Sequence, residues 1–211
     1  MQGAEEFMLT KLKQRVQSTV ASQARGAHNM GLTPNEVSIC GIILAFLSAV
    51  LYGYVLLLPA ILLLLFSGYC DILDGALARL YKQATPFGGF LDSLLDRYAD
   101  AAVYVGVILS GLCSVPSGLT ALVGSLLVSY SRARAEAANV KMESVGFAER
   151  AERIIILAIA SLTAILWQPA MEIGVIVLAV LTNLTVLQRA LHVYNKLKRE
   201  PNPNLEPSSD A

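Results

Sequence analysis

The chain has 211 residues, 55% of them hydrophobic and only 15% charged, with 16 basic residues balancing 16 acidic ones. A mean hydropathy of +0.57 excludes an ordinary soluble domain and points to one integral-membrane domain long enough for several spans. No nucleic acid is expected among its partners.

In chain order, Leu9, Leu12, Val16 and Val20 recur at three- and four-residue spacing among Lys11, Lys13, Arg15 and polar residues. Residues 1–30 are therefore expected to hold an amphipathic helix, lying in the membrane interface or folded against the bundle. The segment lacks the compact apolar stretch and small-residue cleavage site of a signal peptide.

Residues 31–198 then form the main domain. Val37 to Leu58 carries no charge, and a span of about 20 residues at about 1.5 Å each crosses the hydrocarbon core. Pro59 marks the turn into a second span reaching about Tyr81. A third runs from Phe87 to Leu112, a fourth from Pro116 to Ala137, a fifth from Ala148 to Trp167 and a sixth from Ala170 to Val193. Residues 199–211, rich in Pro, Asn and Ser, read as a short disordered tail. The expected fold is an all-α integral membrane protein of six transmembrane helices plus the N-terminal amphipathic helix.

Basic residues set the orientation. Arg25 precedes the first span, Arg79, Lys82 and Arg97 surround the second connection, and Arg132, Arg134, Lys141, Arg150 and Arg153 flank the fourth. Arg189, Lys196, Lys198 and Arg199 close the last span, while the connections near Pro59, Ser114 and Gln168 carry none. By the positive-inside rule both termini and the Asp71 to Asp96 region face the cytoplasm of a cell membrane.

Four carboxylates, Asp71, Asp74, Asp92 and Asp96, stand in this otherwise largely apolar stretch. On helices, i,i+3 and i,i+4 spacing projects each pair from one face, so two helices can converge four acids on one point. A charge deep in a membrane helix costs about 2.5 to 3.5 kcal/mol on insertion scales, so the acids need a polar cavity and a counter-charge. Oxygen-only ligands select hard divalent cations: Mg2+, with Mn2+ as a substitute, and two ions for this many acids.

The run Asp71-x-x-Asp74-Gly75-x-x-Ala78-Arg79-x8-Gly88-x-x-x-Asp92-x-x-x-Asp96 resembles the CDP-alcohol phosphatidyltransferase family, membrane enzymes of phospholipid head-group synthesis. The resemblance implies attack of an acceptor hydroxyl on a CDP-lipid with release of CMP. It implies Asp71, Asp74, Asp92 and Asp96 as metal ligands, with Asp96 also the proton acceptor. Gly75 and Arg79 would hold the CDP moiety with Thr85, and Thr33-Pro34-Asn35 resembles a further cytidine-side segment. Close helix packing is the other reading of Gly75, and a plain helix start that of Thr33, Pro34 and Asn35.

Outside that motif, Ser129 to Ala137, Gly146 to Arg153 and Gln188-Arg189 resemble the branches of the family, in actinobacteria and archaea, whose acceptor is inositol phosphate. A phosphate dianion asks for clustered guanidiniums, and Arg132, Arg134, Arg153 and Arg189 are the expected pocket. The same arginines would otherwise be positive-inside anchors paired with Glu136, Glu149 and Glu152. Arg132 and Ala151 stand where the actinobacterial pattern has Lys and Pro, which tilts the likeness toward the archaeal branch. The donor lipid, ether-linked CDP-archaeol or ester-linked CDP-diacylglycerol, stays open.

Glycerol phosphate, serine or a soluble CDP-inositol pair are the nearer alternatives, and a cation-coupled transporter the more distant one. Cys40, Cys70 and Cys113 lack CxxC spacing and read as buried small hydrophobes. Neither His28 nor His192 has a companion ligand nearby. The family resemblance implies a homodimer, for which Ala101, Ala102, Gly106, Ser110 and Gly111 could serve as an interface or pack internally.

Overall fold

The structure, a computed structural model, describes residues 18–142 and 145–199. Leu9, Leu12 and Val16 of the expected amphipathic helix, and the tail from Glu200, lie outside the described residues. Seven helices follow in order: α1 (18–29), α2 (Pro34–Gly53), α3 (Leu57–Leu80), α4 (Pro86–Leu109), α5 (Val115–Ala137), α6 (Arg150–Ala164) and α7 (Pro169–Arg199).

Local chemistry sets the helix ends. Thr33 caps α2 in a reciprocal box with Glu36, and Thr85 and Ser114 cap α4 and α5, each of which has a proline in its first turn. Pro59 lies in the first turn of α3, where a missing N–H costs nothing, so the expected turn falls earlier, at Tyr54 to Leu56. Positive φ angles at Val55 and Gly111 stop α2 and α4 short of Leu58 and Leu112. The fifth expected span is α6, which starts at Arg150 instead of Ala148 and has only 15 residues, about 22 Å of rise. The sixth expected span, α7, runs on past Val193 to Arg199.

The packing of α2 to α7 closes a ring in which each helix has two neighbours: α2 with α3, α3 with α6, α6 with α7, α7 with α5, α5 with α4, and α4 back with α2. Gly106 and Gly124 permit two of these approaches, since a Cβ there would strike the Ala49 backbone and the Thr182 side chain. Gly106 is thus used inside the chain, while Gly111 makes a turn. The main core fills one end of the ring with Tyr52, Leu64, Tyr104, Leu157 and Leu178. Buried hydroxyls tie helices across it: Ser48 donates to Ala60 O at 2.8 Å, and Tyr52 meets Ser161 at 2.9 Å.

Much of the outward surface is apolar. Ile43, Phe46 and Val50 on α2, Leu62 and Phe66 on α3, and Ile173 and Val180 on α7 are exposed, a distribution that water does not tolerate and lipid does. Helices α2, α3 and α7 are long and apolar enough to cross a membrane. Of the three cysteines, Cys113 is buried, Cys70 is half-buried and Cys40 faces outward, so the expected burial holds only for the first. In α1, buried Ala24 and its neighbour Val20 pack with Leu73, Ala76 and Leu77 of α3, and His28 stacks on Tyr81 at 3.6 Å. The described part of the amphipathic segment is therefore folded against the bundle.

Candidate active site

Helices α3 and α4 do not pack on each other. Both lean on α2, and the gap between them opens at the end where α3 finishes and α4 begins. Asp71 and Asp74 face this gap from α3, Asp92 and Asp96 from α4, with Arg150 of α6 on the far side. One carboxylate oxygen from each of Asp71, Asp74 and Asp92 lies within 4.8 Å of the others. Ser38 of α2 donates its hydroxyl to Asp74 Oδ2. An all-oxygen donor set carrying this much negative charge fits a hard divalent cation.

Asp96 shares the cleft but pairs with a guanidinium. Arg150 Nη1 stands 2.8 Å from Asp96 Oδ1 and 3.0 Å from Asp71 Oδ2. Neither contact is an aligned hydrogen bond, so the N–H directions of Nη1 are not used up by them.

Two larger cavities flank the acids. On the α2 side, a cavity of about 220 Å³ is lined by Asn35, Ser38, Asp74, Gly75, Arg79, Thr85, Gly88 and Asp92. Arg79 folds back over Gly75, where a Cβ would sit 3.2 Å from its Nη1, and a Cβ on Gly88 would stand 3.0 Å from Thr85 Oγ1 and 3.3 Å from Asn35 Oδ1. The two motif glycines thus clear the floor of the cavity. Asn35, Gly75, Arg79 and Thr85 all line this cavity, whereas Thr33 does not, and its side chain is engaged with Glu36.

On the α5 side, a cavity of about 330 Å³ is lined by Asp96, Arg97, Asp100, Arg132, Arg150, Arg153 and Arg189, with Glu136 and Glu149 at its wall. Arg153 and Arg189 are almost fully buried. Arg153 Nη1 donates to Ala148 O at 3.0 Å and Arg189 Nε to Val145 O at 2.9 Å, which fixes both side chains. Arg132 is exposed and paired with Glu136 at 2.9 Å. Arg134 is exposed and does not line the cavity.

Sequence reasoning missed four participants. Arg150 and Arg97 had been assigned only to topology, and Ser38 looks like any helix serine. Asp100 carried a signal, because it continues the i,i+4 series of Asp92 and Asp96 by one more turn.

This arrangement, a carboxylate cleft between two polar cavities in a helical membrane scaffold, is that of a phosphotransferase acting at a lipid surface. Residues 31–187 match the CDP-alcohol phosphatidyltransferase family, and the chain belongs to it. It is 38% identical over 192 residues to the archaetidylinositol phosphate synthase of Pyrococcus horikoshii, covering 91% of this chain and 98% of that one. Its counterpart in Methanothermobacter thermautotrophicus is 41% identical over 173 residues, with 82% and 88% covered. Among solved structures, the Mycobacterium tuberculosis phosphatidylinositol phosphate synthase with CDP-DAG bound superposes with a TM-score of 0.75 at 32% identity, covering 90% and 98% of the two chains. A second structure of that synthase, in complex with manganese and citrate, matches at the same TM-score and identity, with 90% and 93% covered.

Proposed function

We propose that the chain transfers a phosphatidyl-type group from a CDP-lipid, CDP-archaeol or CDP-diacylglycerol, to inositol phosphate, releasing CMP. The observation that carries the reading is the pair of cavities meeting at one set of aspartates, the second of them walled by guanidiniums. The smaller cavity takes the CDP moiety on Asn35, Gly75, Arg79 and Thr85. The larger takes the acceptor, its phosphate on Arg132, Arg153 and Arg189.

Asp71, Asp74, Asp92 and Asp96 would hold two Mg2+ ions, or Mn2+, a reading supported by the oxygen donor set and by the manganese complex of the mycobacterial synthase. Such ions supply charge neutralisation at the pyrophosphate. The acceptor hydroxyl oxygen bonds to the phosphorus bearing the lipid alcohol, the bond from that phosphorus to the bridging oxygen breaks, and CMP leaves with the electron pair. The proton passes to Asp96, whose Oδ1 Arg150 steadies from across the cleft.

In the same reading all six of α2 to α7 cross the membrane, with the short α6 and the charged ends of α4 and α5 lowered into it around the polar site. Residues 31–198 form the catalytic domain, and the site and both termini face the cytoplasm. The positive-inside rule supports this, because the described basic residues flank the ends of the helices nearest the aspartates. A homodimer through the membrane helices belongs here too, with exposed Tyr98, Val105 and Leu109 of α4 as an apolar face.

CMP release from each CDP-lipid, measured against inositol phosphate, inositol, glycerol 3-phosphate and serine, tests the reading. Inositol phosphate is expected to be the best acceptor and free inositol a poor one. Equal use of the two, or a faster reaction with glycerol 3-phosphate or serine, would overturn it.

A further inference from the structure

Asp100 lies one turn beyond Asp96 on α4 and outside the metal-binding motif. It does not line the aspartate cleft; it lines the acceptor-side cavity. Its two oxygens are divided between two guanidiniums: Oδ2 receives Arg153 Nη2 at 2.7 Å, and Oδ1 stands 3.4 Å from Arg150 Nε. Arg150 in turn reaches Asp96 and Asp71 through Nη1. One connected chain therefore runs from Ala148 O through Arg153, Asp100 and Arg150 to the acids of the cleft.

The chain crosses a place where the backbone provides no support. Helices α4 and α6 are not neighbours in the ring, so it is side chains that bridge the start of α6 and the middle of α4, and this chain is the polar part of that bridge. A long arginine loses rotamer freedom whenever it grips a ligand, and a carboxylate that already holds the guanidinium removes that cost before the ligand arrives. We propose that Asp100 is a positioning residue that holds Arg153 and Arg150 in register with Asp96, so that the acceptor's phosphate and its attacking hydroxyl are aligned by one carboxylate. This rests on the reading that the guanidinium-lined cavity takes the acceptor.

The test uses the full chain in detergent or lipid. Asp100→Asn keeps the size but loses the charge that both guanidiniums share. The KM for inositol phosphate is expected to rise about tenfold to a hundredfold, while the KM for the CDP-lipid and the Mg2+ concentration for half-activation move less than about twofold. Asp100→Glu, which keeps the charge but shifts it by one methylene, should fall between parent and Asn, and it carries the same KM comparison if the Asn variant does not fold. Adding Asp100→Asn to Arg153→Ala should cost clearly less than the two single effects combined, because the part of the Asp100 effect that runs through Arg153 is already lost and only the part through Arg150 remains.

That last arm reads only the coupling, with whichever acceptor the parent uses best, and so stands apart from the acceptor's identity. Should the parent prefer another acceptor while the two substitutions remain coupled, the acceptor reading fails and the positioning role survives. A folded Asp100 variant with unchanged acceptor KM, a rise shared equally by both substrates, or independent effects in the double variant would overturn the positioning role.

Discussion

The two cavities beside the aspartates are built on opposite plans. The CDP-side cavity draws on the start of α2, the end of α3 and the start of α4, and its one guanidinium is Arg79. The acceptor-side cavity draws on α4, α5, α6 and α7 and is walled by Arg97, Arg132, Arg150, Arg153 and Arg189. The proposed chemistry accounts for the contrast. A donor pyrophosphate bound against metal ions has its charge neutralised by them, so glycines that clear space are worth more there than further cations. An acceptor phosphate has no ion of its own and must be held by the protein, which brings arginines at the cost of burying them and steadies them with Asp100, Ala148 O and Val145 O.

The largest effects are expected at the line the cavities share. A chelator should abolish CMP release, and added Mg2+ or Mn2+ should restore it; full activity in a metal-depleted, chelator-treated sample would rule out the metal site. Asp96→Asn should lower kcat by about a hundredfold to ten-thousandfold, because an amide fills the space but takes no proton. Metal-dependent CDP-lipid binding, measured directly, should largely survive. Turnover within about tenfold of the parent would remove Asp96 from the proton-transfer step.

Next in size is a crossed pair that separates the cavities. Arg153→Ala removes a charge-assisted contact worth roughly 1.5 to 3 kcal/mol, so the KM for inositol phosphate should rise about tenfold to a hundredfold with that for the CDP-lipid nearly unchanged. Arg79→Ala should do the reverse. If both substitutions raised both constants alike, the cavities would not be separate binding sites. Arg132→Ala should follow the Arg153 pattern more weakly, since Arg132 is exposed and already paired with Glu136.

The contrast also explains what could be read in advance. The aspartate cleft was legible because Asp71 with Asp74, and Asp92 with Asp96, lie close together in sequence and on helices, where i,i+3 and i,i+4 spacing maps directly onto one face. Gly75 and Arg79 beside it were expected from the family resemblance, and both line the CDP-side cavity. The acceptor-side cavity depends on which helices become neighbours in the ring, and hydropathy is silent on that. Arg150 looked like a topological anchor until α6 placed it opposite Asp96, and Ser38 had no sequence mark until α2 lay against α3. The short reach of α6 was hidden for a different reason: the apolar run continues to Trp167, yet the helix stops at Ala164, ahead of the Pro169 start of α7.

The smallest expected effect is also the sharpest test of the acceptor-side wall. Arg134 lies two residues after Arg132 on α5, a rotation of about 200° round the helix, so the two cannot share a face. Arg132 lines the cavity and Arg134 does not, although both stand in the same basic stretch and suggested the same role. Arg134→Ala should therefore change the KM for inositol phosphate by less than about twofold, as expected of an exposed charge whose work is done at the membrane surface. Arg97→Ala, at a position on the wall that spacing alone did not single out, should exceed it. The opposite order, with Arg134 behaving like Arg153 and Arg97 silent, would mean that α5 turns a different face to the acceptor.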